Sequence, residues 1–303
     1  MTLAHWTNRL AIGALALASG FAGGAATFYS PVHAAGGEPI HIERQEWSFA
    51  GVRGRFDREQ LQRGFQVYKE VCASCHGLKR VYFRNLVERG GPMFDEESVK
   101  ALAASWPNQI FDGPNENGDI ATRRGALIKR PALLSDPILG PYDNDKQARA
   151  AQNGALPPDL SLITKARSVE FHGGVFAHIG QMLMDIANGY QEAGANYLYA
   201  LLTGYKDPPK GVTLADGMNY NAAFPGHQIA MVAPFVDGSV KYQNEAVPRT
   251  VSQYSKDVTA FLAWAADPRL EERKRMGWLV MLYLLVTAVL LYFAKKRLWS
   301  TLH

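Results

Sequence analysis

Cys72-Ala73-Ser74-Cys75-His76 holds both cysteines of a 303-residue chain, and its reading decides the rest. Two thiols three residues apart on one turn can add across the two vinyl groups of a haem as thioethers. The adjacent histidine then lies under the ring, with an imidazole nitrogen aimed at the iron. Cys-x-x-Cys-His is the attachment signature of c-type haem, and one copy implies one covalently bound haem c. Other chemistries suit these residues less well. A structural zinc site wants four ligands, usually from a second Cys/His pair, and there is no third cysteine. A thioredoxin-like pair should follow a strand in a βαβ unit, whereas the residues before Cys72 read as helix.

In that helix Leu61, Phe65, Tyr68 and Cys72 recur at helical spacing, and Asp57 with Gln60 forms a capping box. Gly64 inside it costs about 1 kcal/mol against Ala, which predicts a second helix crossing closely there. The partner starts at Thr250, capped with Gln253, and runs through Val258, Phe261, Leu262 and Ala265 to a stop at Pro268. Between them the chain is rich in Gly/Pro turns such as Gly90-Gly91-Pro92 and Pro157-Pro158. Further helices are expected at 95–105, 176–189 and 195–203, and a strand signal is confined to segments such as 234–242. The fold class is mostly α, with long loops.

The ends of the chain place this domain. Residues 1–34 have Arg9 as their only charge, an apolar small-residue run, and Val32-His33-Ala34 as a cleavage site, which reads as a cleaved secretory signal peptide. Residues 277–294 (GWLVMLYLLVTAVLLYFA) are uncharged. Eighteen residues at about 1.5 Å each reach roughly 27 Å, enough to span a hydrocarbon core. Trp278 and Tyr292 sit at the interfaces, and Lys295, Lys296 and Arg297 close the segment. The division is therefore 1–34 signal peptide, 35–272 exported haem domain, and 273–303 transmembrane anchor with a short cytoplasmic tail. The expected place is a bacterial inner membrane, single-pass, with the haem domain in the periplasm. The chain carries +4, but residues 269–303 contribute +5, and residues 35–268 stand at −2. A slightly acidic exported domain argues against nucleic acid and for a basic protein partner.

A methionine sixth ligand would make the iron an electron shuttle at raised potential, whereas an open position would bind small ligands. Of eight methionines, Met276 and Met281 belong to the anchor, while Met182 and Met184 fall in a helical run where methionine is commonly core filler. Met93 lies about one loop beyond the haem turn. Met218 and Met231 remain, Met231 in a proline-bounded loop from Phe224 to Pro234. His172, His178 and His227 are rival ligands.

Taken together, the chain resembles cytochrome c1, the membrane-anchored haem subunit of the cytochrome bc1 complex, of the alphaproteobacterial kind. The resemblance rests on residues 66–76 (QVYKEVCASCH), 153–161 (NGALPPDLS) with Lys165-Ala166-Arg167, Tyr197 through Tyr205 with Pro208-Pro209, and Phe224-Pro225-Gly226 to Met231 and Pro234. It implies a cytochrome c-like haem domain with thioethers at Cys72 and Cys75, proximal His76 and distal Met231. Asn153, Ala155, Pro157, Pro158 and Leu160 would line the haem, Arg167 would pair with a propionate, and Tyr197, Leu201, Phe224 and Ile229 would complete the pocket. The implied function is one-electron relay from a Rieske iron–sulfur protein to a c-type cytochrome, beside cytochrome b in a dimeric complex. The subunit is no enzyme by itself. Asp95-Glu96-Glu97 and the acidic loop 112–119 are candidates for receiving a basic cytochrome. Two departures stand out: a long stretch at 168–196, and Met231-Val232-Ala233-Pro234 where relatives often read Met-Ala-Pro-Pro. The extra disulfide of some bacterial relatives is impossible without a third cysteine.

Overall fold

The computed structural model describes residues 42–122, 125–167, 191 and 193–300, together with positions 175, 179, 180 and 183. The signal peptide expected at 1–34 lies outside them, as do His172, His178, Met182, Met184 and most of the helix expected at 176–189.

In chain order the elements are α1 (Arg58–Glu70), a 3-10 turn at Cys72–Ser74, β1 (Leu78–Tyr82), a second 3-10 turn at Phe83–Leu86, and α2 (Glu96–Ala104). Then come β2 (Ile110–Phe111), β3 (Lys129–Arg130), β4 (Pro137–Ile138), α3 (Asp145–Ala151) and α4 (Ile163–Ala166). The chain ends with α5 (Ala193–Thr203), β5 (Asn219–Tyr220), β6 (Gln228–Ile229), α6 (Val251–Ala266) and α7 (Leu270–Trp299). The strands form short antiparallel pairs, β1 with β4, β2 with β3 and β5 with β6.

The crossing of α1 and α6 organises the core. Gly64 permits it, since an added Cβ would overlap the Asp257 carbonyl and lie 2.7 Å from Phe261 Cβ. Around the crossing pack Leu61, Phe65, Val67, Tyr68, Phe261 and Trp264, all buried. Asp57 caps α1 as expected, accepting from the backbone N–H of Glu59 and Gln60. The capping box is not closed, because Gln60 Nε2 instead donates to Asp257 Oδ1 at 3.2 Å. A fully buried carboxylate needs donors more than an exposed helix end does. Thr250 caps α6 as expected, accepting from Gln253 N at 3.3 Å, and the helix ends before Pro268.

The strand expected within 234–242 does not form. Tyr254 Oη donates to the Val240 carbonyl at 2.8 Å and lies 3.3 Å from Val240 N. A side chain from α6 thus satisfies backbone groups that a neighbouring strand would otherwise pair.

Asp267-Pro268-Arg269 alone separates α6 from α7. The first turns of α7 are tied to the haem domain: Arg58 Nη2 donates to both Glu271 oxygens at 2.9 Å, and Phe56 N donates to Glu271 Oε1 at 3.0 Å. Lys274 Nζ donates to the carbonyls of Phe49 and Gly51, both at 2.6 Å. Beyond these ties α7 is long and apolar enough to cross a membrane, with mean hydropathy 2.2 over its apolar window and none of that window buried. A core helix of a soluble domain would be covered, so this helix fits a single-pass anchor.

Candidate haem site

The two thiols sit where α1 ends. Val71 closes the helix, and the 3-10 turn returns the chain so that Cys75 N and His76 N both donate to the Cys72 carbonyl, at 3.1 and 2.9 Å. Tyr68, buried in the core, fixes the turn from behind by donating its hydroxyl to the His76 carbonyl at 3.0 Å. Cys72 and Cys75 are not joined to each other in a disulfide. Burial pushes the Cys72 thiol up to about 12, with Cys75 adding to the shift.

Residues 76–80 are stitched to 158–161. His76 Nδ1 lies 2.7 Å from the Pro158 carbonyl, Leu160 N donates to the Gly77 carbonyl at 2.9 Å, Lys79 N to Asp159 Oδ2 at 2.8 Å, and Arg80 N to Ser161 Oγ at 3.0 Å. Gly77 is required here, because a Cβ would lie 2.6 Å from Gly140 N. With Nδ1 turned to a carbonyl, the imidazole orientation is set and Nε2 is the nitrogen left for a metal. Burial lowers the His76 pKa, against the opposing Pro158 carbonyl and Asp159, and so favours the neutral form that ligates.

On the same side, Asn153 (φ +50°) is exposed and leads through half-buried Ala155 and Pro157 to exposed Pro158 and buried Leu160. Arg167 ends α4, exposed, with its charge felt by buried Tyr197 on α5: burial raises the Tyr197 pKa and Arg167 opposes it.

Met231 follows the β5–β6 hairpin. Phe224, half-buried, opens the turn by accepting from His227 N at 2.8 Å, and Ile229 is buried on β6. His227 is spent on the turn: its ring stacks on Tyr220 with centroids 5.6 Å apart, and its Nδ1 lies 3.2 Å from the Asn221 carbonyl. Met93 and Met218 are 49% and 39% exposed. Met231 instead packs against the hydrophobic core, as do Cys72, Ala73 and Leu201, and Leu160 is part of that core. The fold therefore sets the thiol turn at Cys72 and the Met231 loop against the same apolar cluster.

Several site residues were not legible in the sequence. Gln152 Nε2 lies 3.6 Å from Cys75 Sγ and 2.7 Å from the Tyr142 hydroxyl. Asp159 and Ser161 hold the segment beyond His76, while Tyr205 and Asn219 reach the Met231 backbone. Gln152, Asp159, Ser161 and Tyr205 lie within or beside the runs 153–161 and 197–205, whereas Asn219 has no such signal. The acidic stretches are partly engaged locally. Asp95 caps α2, Lys100 pairs with Glu96 and Glu97 at 3.0 and 2.9 Å, and Asp112 lies 3.4 Å from Arg130.

Two cysteines on one turn, an imidazole fixed through one nitrogen and a thioether at the edge of an apolar cluster form a donor set that fits a covalently attached iron porphyrin. Among the described residues no group of three or more His, Cys, Asp or Glu could hold a metal ion by itself.

Comparison with known proteins agrees. The model of the cytochrome C1 family matches residues 47–302. The chain is 45% identical over 269 residues to cytochrome c1 of Blastochloris viridis, covering 89% of each protein. It is 49% identical over 259 residues to cytochrome b/c1 of Bradyrhizobium diazoefficiens, covering 85% of this chain but only 35% of that longer protein. It is 43% identical over 258 residues to a protein of Solanum tuberosum named cytochrome c1-2, heme protein, mitochondrial, covering 84% of each. With the thiol turn, the fixed histidine and these relatives in agreement, the chain belongs to the cytochrome c1 family and carries covalently bound haem c.

Proposed function

We propose that this chain is the electron-transfer subunit of a bc1-type quinol–cytochrome c reductase, taking single electrons from a Rieske iron–sulfur protein and giving them to a soluble or anchored c-type cytochrome. The reading is carried by one observation: the segments bearing His76 and Met231 are both held by hydrogen bonds to other segments of the chain. A closed, rigid ligand pair suits electron relay, whereas catalysis or gas binding needs a vacant position.

Bound here, haem c supplies a one-electron iron couple whose potential a thioether ligand raises. Cys72 and Cys75 would hold it through thioethers, and His76 and Met231 would supply the nitrogen and sulfur ligands to its iron. Asn153, Ala155, Pro157, Pro158 and Leu160, with Tyr197, Leu201, Phe224 and Ile229, would line its pocket. Arg167 offers its exposed guanidinium to a propionate. The chain's task is geometric: it keeps ligand positions unchanged between the two charge states.

A relative named cytochrome b/c1 supports cytochrome b as a neighbour. The chain is made with a cleaved leader at 1–34, holds its 35–272 domain in the periplasm, and spans the inner membrane once within 273–303, in a dimeric complex. Purification in mild detergent should bring down a b-type cytochrome and a Rieske protein; recovery of the chain without either would count against the assignment. Met231→Leu should keep the covalent haem yet give high-spin iron that binds carbon monoxide, at a lower midpoint potential. An unchanged spectrum in that variant would place the sixth ligand elsewhere.

A further inference from the structure

Two side chains from different elements converge on a single backbone oxygen. Tyr205 Oη donates to the Met231 carbonyl at 3.1 Å, and Asn219 Nδ2 donates to the same oxygen at 3.3 Å. A carbonyl has two lone pairs, so both bonds can be held at once. Tyr205 lies just beyond α5, and its backbone bridges that of Asn221. Asn221, fully buried, donates from Nδ2 to the Leu201 carbonyl at 2.8 Å, and Ala222 N donates to the Gly204 carbonyl at 2.9 Å. The hairpin is thereby bolted to the end of α5. Immediately after Met231, Val232 is 68% exposed and Ala233 is exposed as well.

We propose that Tyr205 and Asn219 are positioning residues for the distal ligand, clamping the Met231 carbonyl so that the thioether of the same residue stays on the iron. The proposal rests on Met231 being that ligand. A neutral thioether is a weak ligand, so the fraction of time it spends on the metal depends on how narrowly its backbone is confined. The carbonyl lies on the Met231 main chain, and fixing it restricts the peptide from which the side chain swings.

The test uses the full-length, haem-loaded chain in its detergent-solubilised complex, with two readouts at the c-type haem. These are the rate at which carbon monoxide binds the reduced protein, and the near-infrared sulfur-to-iron charge-transfer band of the oxidised protein. Removing one neutral hydrogen bond should raise the population with Met231 detached roughly two- to tenfold. Tyr205→Phe and Asn219→Ala should therefore each speed carbon monoxide binding by that factor and weaken the band, and the double variant should exceed either. Tyr199→Phe is the control, since its hydroxyl lies 2.8 Å from Ser252 Oγ, away from the ligand loop. Flat rates in both clamp variants beside a fast Met231→Leu overturn the clamp alone. An equal rise in Tyr199→Phe also overturns it, because the effect is then general loosening of α5. A Met231→Leu protein that behaves as the parent does overturns the ligand assignment itself. Should Tyr205→Phe fail to accumulate, Asn219→Ala decides by the same two readouts.

Discussion

Asp257 has no exposure to solvent, and four side chains converge on it: Gln60, Arg63, Tyr242 and Gln253. An unpaired carboxylate in that position would be prohibitive, and a paired one is tolerated only because its lone pairs are taken. Asp257→Ala leaves Arg63, itself only 20% exposed, without its counter-charge. The expected loss is about 3 kcal/mol, to be read as a fall in the thermal unfolding temperature of the solubilised chain, with Asp257→Asn intermediate. This residue illustrates which single positions the sequence exposes. Cys72, Cys75 and His76 are legible because their chemistry is local. Asp257 and Gln152 are not, because they act across long chain separations, 197 residues to Gln60 and 77 to Cys75. Polar residues of that kind look like any surface position until the fold supplies the partner.

The α1–α6 crossing carries the site, since the thiol turn begins where α1 ends. Gly64→Ala tests that dependence with two effects of opposite sign. Alanine favours the helix by about 1 kcal/mol, but its methyl would overlap the Asp257 carbonyl. Overpacking of this sort costs about 1–3 kcal/mol, and backbone cannot move aside as a side chain can, so net destabilisation is expected. The unfolding temperature should drop, and the haem spectrum should shift as α1 is pushed outward. A spectrum and stability equal to the parent's would mean the helices separate freely. The glycine was readable because a helix interior seldom carries one without a close neighbour. Residues 234–242 misled for a comparable reason: their composition suits a strand, but the partner for Val240 is a tyrosine hydroxyl from α6. At Gln60 the local capping pattern lost to a buried acceptor across the interface. Local pattern fails in both places where a long-range partner satisfies the same group better.

At the scale of the whole molecule, the apolar helix and the haem domain are joined by more than a linker. Glu271 and Lys274 reach back to Phe56, Arg58, Phe49 and Gly51. A chain ended after Arg269 loses these ties, whereas one ended after Met276 keeps them and still lacks the apolar run. The shorter form should be less stable by about 2 kcal/mol, or roughly 4–8 °C in unfolding temperature for a domain of this size. Equal melting of the two forms would mean the ties contribute nothing. The three-residue joint at 267–269 also has little slack, because Asp267 is paired with Lys165 at 3.4 Å and with Arg273. The head is consequently mounted on the apolar helix like a lamp on a mast, its attitude to that helix set by the first two turns of the mast itself. In the electron relay proposed above, any travel that shortens the gap to a donor or acceptor would then fall to the visitor.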